Sequence, residues 1–250
     1  MKYINYNNLT EKQQIEFKII KKLPNCKKLY CSNNNIIKLP ELPNCIELDC
    51  SDNHLVELPM LPKCKKLNCY YNNIKEISSL PKCKYLVCSS NNITKIAELP
   101  NCKYINCSDN NLTELPEFPK CKKLNCSYNL LVKLPSLPNC EYLECKFNLL
   151  INLTNYSNYI YILPKCIFLD CHNNKLIELP ILPNCTHLNC SVNELAHLSE
   201  LPNCIELECS DNHLVDLPIL PKCKKLNCSN NSNLRYTKEI ADRFNLQNRI

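Results

Sequence analysis

The chain has 250 residues, with 22 cysteines, 17 prolines and no glycine, and its 30 basic against 24 acidic side chains leave a net charge of +6. It holds no run of about eighteen apolar residues, and residues 1–12 hold no apolar segment of signal-peptide length; the expectation is a cytoplasmic protein with no membrane segment. So many thiols fit a reducing compartment, and turns built without glycine must rely on proline's fixed φ and on asparagine's tolerance of the left-handed region.

Residues 1–22 read as an N-terminal helical cap. Thr10 followed by Gln13 forms a capping box, and Ile15, Ile19 and Ile20 then recur at helical spacing. A short helix here would cover the apolar end of a repeat array beginning at Leu23, as a solenoid's terminal unit requires.

Residues 23–234 are eleven copies of a nineteen-residue phrase, typified by LPNCIELDCSDNHLVELPM from Leu42, and starting also at Leu23, Leu61, Leu80, Leu99, Phe118, Leu137, Leu163, Leu182, Leu201 and Leu220. A period near twenty residues is the mark of a solenoid, whose units bury their apolar sides only against their neighbours. Counting from that first leucine, positions four, seven and nine alternate with variable residues, as in Cys45, Leu48 and Cys50, which predicts a strand with those side chains inward. Position twelve is asparagine in every copy, from Asn34 to Asn231, a carboxamide column able to satisfy the backbone of the turn that leaves the strand. Positions fourteen, seventeen and one, such as Leu55, Leu58 and Leu61, complete the interior. All prolines fall at positions two and eighteen, which predicts an extended return without a helix.

The cysteines are two per copy, at positions four and nine. Within a copy they lie about 16 Å apart in extended chain, and within a column about 4.8 Å apart with parallel Cβ vectors, so neither arrangement suits a disulfide. The CxxxxC spacing matches no zinc site. They read as small buried hydrophobes, with no metal and no cofactor.

The seventh copy is followed, after Asn155, by an insertion at residues 156–162, YSNYIYI, which maps to a surface loop. The second and tenth copies and their successors are nearly identical, so the array grew by duplication. Residues 235–250 read as a C-terminal helical cap: Thr237 is the N-cap, and Ile240, Ala241 and Phe244 share one face. The eleventh copy has Asn233 where the others carry their position-fourteen aliphatic residue.

The core of the phrase, LxCSxNxLxxLP, resembles the leucine-rich repeat, LxxLxLxxNxLxxLP, with cysteine in place of two aliphatic residues. Its short period and paired LPxLP prolines are similar to the repeat domains of secreted bacterial effectors. Its taste for asparagine, isoleucine and lysine is similar to leucine-rich-repeat proteins of giant amoebal DNA viruses. The resemblance implies an α/β-type, mostly β repeat solenoid: a horseshoe with a parallel concave sheet, an extended convex side and short capping helices. Bacterial effectors of this kind often carry a ubiquitin-ligase domain after the repeats, which the few residues after Leu234 do not imply here.

In such a fold positions six, eight and ten face outward from the concave sheet, and eleven strands would span about 50 Å, enough to embrace a small domain or a peptide. Position six is aromatic or charged, with Tyr85, Tyr104, Lys123, Tyr142, Phe168 and His187 near its centre. Position ten is serine except at Tyr70, Lys146 and His172. Variation is densest in the seventh and eighth copies, where Tyr142, Glu144, Lys146, Phe168, Asp170 and His172 should cluster beside the insertion, an aromatic patch rimmed by charge. The expected function is non-catalytic binding of a protein partner, a host protein if the chain is viral, by a monomer acting in the cytoplasm. Alternatives are a substrate-recognition adaptor for a ubiquitin ligase supplied by another chain, and a structural virion component. Nucleic acid is not the expected partner, because the paired lysines are spread out and interrupted by Glu47 and Glu206. A cysteine hydrolase using His172 or His187 would need an exposed thiol, whereas every cysteine sits at an inward position.

Overall fold

The computed structural model describes residues 3–153 and 163–246, which fall into two compact units, Met1–Leu130 and Leu131–Ile250. In both, each copy of the phrase is one turn of a parallel-strand solenoid. A copy opens with a β-turn in which the position-four N–H donates to the position-one carbonyl, as from Cys45 to Leu42 at 3.1 Å. Proline occupies the second residue of that turn, where its fixed φ fits. The position-two prolines therefore shape a turn, and not the extended return expected of them.

Positions six to eight then form a three-residue strand. In Met1–Leu130, after β1 (Tyr3–Asn5), which precedes the copies and pairs with the first of them, these are β2 (Lys28–Tyr30), β3 (Glu47–Asp49), β4 (Lys66–Asn68), β6 (Tyr85–Val87), β8 (Tyr104–Asn106) and β9 (Lys123–Asn125), parallel neighbours in that order. In Leu131–Ile250 they are β10 (Tyr142–Glu144), β11 (Phe168–Asp170), β12 (His187–Asn189), β13 (Glu206–Glu208) and β14 (Lys225–Asn227), again parallel in order. Register is residue for residue, so that Leu48 faces Leu67 and Leu188 faces Leu207. Like side chains thus stack into columns. Two further short strands, β5 (Glu76–Ile77) and β7 (Lys95–Ile96), pair on the return side. They form in two copies whose position eighteen is Ser78 or Ala97 and not proline; the Ala97 N–H reaches the Ile77 carbonyl at 2.9 Å, a bond proline could not make.

The core is built as the sequence predicts at positions one, four, seven, nine and fourteen: Leu42, Cys45, Cys50 and Leu55 are wholly buried. Position seventeen departs from it. Leu39, Ile77, Ile96, Leu153, Leu179 and Leu198 are buried, but Leu58, Leu115, Leu134 and Leu217 are only half-buried. All 22 cysteines are buried as thiols. Position-four thiols donate to the position-six carbonyl of the same copy, as Cys45 to Glu47 at 3.2 Å, while position-nine thiols such as Cys50 reach the next strand, Asn68 O at 3.6 Å.

Two devices turn the chain after the strand. At position eleven the backbone enters the left-handed region in every copy, with φ of 53° at Asp52, 55° at Tyr128, 52° at Phe147 and 54° at Val192. At position twelve the asparagine closes the turn. Asn53 donates to the carbonyls of Cys31 (2.9 Å), Cys50 (3.1 Å) and Ser51 (3.0 Å), and its Oδ1 accepts the Ile36 N–H at 3.0 Å. The structural column expected from position twelve is therefore present, and it bonds each copy to the one before.

The N-terminal segment differs from expectation. Helix α1 (Glu11–Ile19) has its capping box on Thr10 and Gln13, but it buries Phe17, whereas Ile15 and Ile19 are exposed. The first repeat is covered instead by β1, which pairs with β2 and sets Ile4 over Leu29, followed by a 3-10 turn, Tyr6–Asn8. The reason is packing: Tyr6 is buried and meets the Phe17 ring edge-on at 5.1 Å, which fixes the opposite face of the helix outward. At the far end α2 (Lys238–Phe244) is capped by Thr237 and buries Ala241, with Ile240 and Phe244 half-buried. Leu234, one residue after Asn233, is buried in the last copy. The inserted residues 156–162 lie outside the described residues. Among the described residues no helix is long and apolar enough to cross a membrane, and no three His, Cys, Asp or Glu side chains are grouped to hold a metal ion.

Candidate functional site

In-register pairing decides which outward side chains meet. In Leu131–Ile250 the position-six row reads Tyr142, Phe168, His187, with Tyr142 and Phe168 stacked at 6.4 Å and Phe168 and His187 tilted at 6.3 Å. Tyr142 is 43% exposed. The next row holds Glu144, Asp170 and Asn189, in register across β10 to β12. Beyond it, Lys146 Nζ stands 3.6 Å from Asp170 Oδ2 and His172 Nδ1 stands 2.7 Å from Asp170 Oδ1. The Phe147 ring meets His172 edge-on at 5.0 Å. The six residues predicted to cluster in the seventh and eighth copies are thus brought together, with His187 at the end of their aromatic row.

Part of that cluster serves the fold. Position eight is often Asp or Asn and position ten usually Ser because the two form an Asx turn: Ser51 donates its N–H and Oγ–H to Asp49 Oδ1 at 3.1 and 2.7 Å, and Ser108 treats Asn106 alike at 3.1 and 2.8 Å. Position ten is therefore less outward than expected, and Ser51, Ser89, Ser127 and Ser210 are buried. Asp170 and His172 are this same pair with an imidazole in place of the hydroxyl, and Asp170 is itself buried. The rings of the aromatic row take no part in that turn.

In Met1–Leu130 the predicted residues behave differently. Tyr85 and Tyr104 are stacked 4.4 Å apart and 7° from parallel, with Lys66 Nζ 5.6 Å from the centre of the Tyr85 ring and Lys123 Nζ 6.0 Å from that of Tyr104. Lysine, two rings and lysine form one column across β4, β6, β8 and β9, and each ring has a ring on one side and an ammonium near it. Tyr85, Tyr104 and Lys123 satisfy one another.

A feature at position five was missed. In the second unit Ile167, Thr186 and Ile205 line a shallow groove of about 550 Å³ together with Glu141, Lys165, Asn184, Asn203 and Lys222. Each position-five N–H donates to the carbonyl of its counterpart on the preceding strand, Thr186 to Ile167 at 2.8 Å and Ile205 to Thr186 at 2.7 Å, so these side chains form a row along the rim. The groove meets the aromatic row at Thr186, whose Oγ1 lies 2.9 Å from His187 Nδ1. The signal lay in the sequence: position five is lysine in most copies but isoleucine at Ile46, Ile167 and Ile205.

Nucleophilic chemistry finds no support among the nearby thiols. Burial first, then Asp170, pushes Cys171 well above the ordinary thiol value, and burial does the same to Cys190. A thiol held protonated and enclosed does not attack.

Among solved structures the chain is similar to YopM from Yersinia enterocolitica WA-314 (31% identity over 83% of this chain and 52% of that one, TM-score 0.64). It is similar also to YopM of Yersinia pestis, a leucine-rich effector protein (27% identity, 86% and 72% covered, TM-score 0.67). A third is the functional domain of InlJ from Listeria monocytogenes, which includes a cysteine ladder (22% identity, 87% and 57% covered, TM-score 0.65). The chain spans about half the length of the first of these, 52%. No family model matches the sequence, and no curated protein does.

Proposed function

We propose that this leucine-rich-repeat solenoid is a non-catalytic scaffold that holds a protein partner on the strand face, concave in a leucine-rich repeat, of its second unit, Leu131–Ile250. The observation that carries the reading is the juxtaposition of the Tyr142, Phe168 and His187 rings with the Ile167 and Ile205 groove. Aromatic rings bury area at low entropic cost, and a flanking apolar groove gives them an anchor to work beside. Lys146 and Glu144 supply a charged rim. The likeness to YopM, a leucine-rich effector protein, supports a role exerted on another protein. The enclosed thiols and the Asp170–His172 turn support a role without catalysis.

The test is a crosslinking pull-down from cells that naturally make the protein, read by mass spectrometry, with wild type beside the double variant Tyr142→Ser, Phe168→Ser. A protein captured by the wild type and lost from the variant is the expected result. Equal recovery from both would remove the site from this face.

A further inference from the structure

The rim that leads into the strands of the first unit carries a row of lysines, most of them without a carboxylate partner among the described residues. At position five Lys65, Lys84, Lys103 and Lys122 follow one another on four successive turns, and the N–H of Lys84, Lys103 and Lys122 each donates to the preceding lysine's carbonyl at 2.9 Å. All four are exposed, as are Lys63, Lys82 and Lys120 at position three. Lys63 and Lys120 donate only to neutral amides, Asn44 Oδ1 at 2.6 Å and Asn101 Oδ1 at 2.7 Å. Among the described residues no carboxylate pairs with Lys63, Lys65, Lys82, Lys84, Lys103 or Lys120. Successive strands lie about 4.8 Å apart, so these ammonium groups repel one another unless an anion is shared between them.

Nothing about the repeat requires this. The same row in the second unit reads Glu141, Ile167, Thr186, Ile205 and Lys224. Residues 1–130 hold nineteen basic side chains, all lysine, against twelve acidic, whereas residues 131–250 hold eleven against twelve. The first unit therefore accounts for the net charge of +6.

Two observations narrow the partner. The basic band is bounded by acids on its return side, where exposed Glu41, Glu57, Glu76, Glu98, Glu114 and Glu117 stand at positions sixteen and nineteen, whereas the sheet side of the same turns, from Lys66 and Tyr85 to Tyr104 and Lys123, carries no acid. A duplex or a bilayer is broad enough to bring its own anions against those acids. The neighbouring rings, Tyr85 and Tyr104, are sandwiched between each other and two lysines, which leaves no ring face for a base to stack on. We propose that this lysine rim binds an acidic segment of another polypeptide. Acids three and four residues apart on a helix recur about every 5 Å along its axis, close to the strand spacing of about 4.8 Å. Lysine as a point charge suits such a carboxylate row, where arginine's fork is not needed. The proposal concerns a different surface from the aromatic row and does not depend on it.

The experiment measures, with the full chain, fluorescence anisotropy of a labelled helical peptide bearing glutamate every three to four residues, beside an oligothymidylate and vesicles containing phosphatidylserine. The expected result is peptide binding that weakens with salt and falls at least ten-fold in Lys65→Gln, Lys84→Gln, Lys103→Gln. The control Lys133→Gln, Lys175→Gln in the second unit, both exposed and outside the groove, should leave it unchanged. Carbodiimide coupling of the peptide to wild-type protein, which needs no variant to fold, should place crosslinks on Lys65, Lys84 and Lys103. Equal binding by wild type and triple variant, crosslinks scattered over the surface, or tighter binding of the oligothymidylate or the vesicles would each overturn the proposal.

Discussion

At the scale of single residues, the turn after each strand is where this chain departs most from ordinary propensity. Position eleven is left-handed in all copies, yet no glycine serves it, and Tyr71, Tyr128, Phe147 and Val192 stand there beside the more tolerant Asn and Asp. Such residues are held because the backbone on both sides is committed: Val192 N–H reaches Ser210 O at 3.0 Å and Val192 O accepts the Asn174 N–H at 3.2 Å. A β-branched residue at φ of 54° is strained, and Val192 is 43% exposed, so it loses little by becoming polar. Val192→Asn should raise stability by about 1 kcal/mol, read as a higher urea midpoint; a lower midpoint would show that the valine packs in a way its exposure hides. Position twelve has the opposite tolerance. Asn110 donates to Cys88 O, Cys107 O and Ser108 O at 3.0 to 3.1 Å, and its Oδ1 accepts the Ile93 N–H at 2.9 Å. Asn110→Asp keeps the shape but turns a carboxylate oxygen toward three carbonyls with no proton to give. It should cost roughly 3 kcal/mol at neutral pH. A loss below about 1 kcal/mol would mean the column is dispensable.

At the scale of the element, the two cysteine columns tie stability to pH. Burial raises Cys31, Cys45, Cys64, Cys107 and Cys204 to about 12 and Cys185 to about 11, from an ordinary 9.0. The folded state thus holds its thiol protons more tightly than the unfolded chain does. The stabilisation is complete below about pH 9, where both states are protonated, and is lost as pH rises from the unfolded value through the folded one. Each such thiol removes up to about 1.4 kcal/mol per pH unit in that window. The urea midpoint under reducing conditions should be flat from pH 6 to about 7.5 and fall steeply by pH 10.5. A flat profile to pH 10.5 would show that these thiols ionise as readily when folded as when unfolded.

At the scale of the molecule, stability in a solenoid is the sum of units and the contacts between neighbours, while recognition lies on the outward rows. Outward rings can therefore change without loss of the fold. Tyr142→Ser with Phe168→Ser should lower the melting temperature by no more than a few degrees, about 1 kcal/mol for a chain of this size, as followed by circular dichroism. A collapse of the melting transition would instead assign the row to the architecture. The two units also divide the surface chemistry: the position-five rim is mainly lysine in Met1–Leu130 and mixed in Leu131–Ile250, where Ile167 and Ile205 flank Thr186.

The period, the inward positions other than seventeen, the asparagine column, the enclosed thiols and the caps on Thr10 and Thr237 were determined by the sequence, because eleven copies average out local accident and a strand's period of two leaves no choice of face. Other features waited for the tertiary structure. Phe17 and not Ile15 or Ile19 is buried because Tyr6 receives it, a partner eleven residues away that helical spacing does not name. Asp170 holds His172 as a turn device because position eight bonds to position ten wherever it is Asp or Asn. Tyr85 and Tyr104 close on themselves while Tyr142 stays exposed, because that depends on which side chains the register sets on the adjoining strands. Columns arise from the repeat, but whether a column is satisfied within itself or left to a partner is decided only by contacts across the strands.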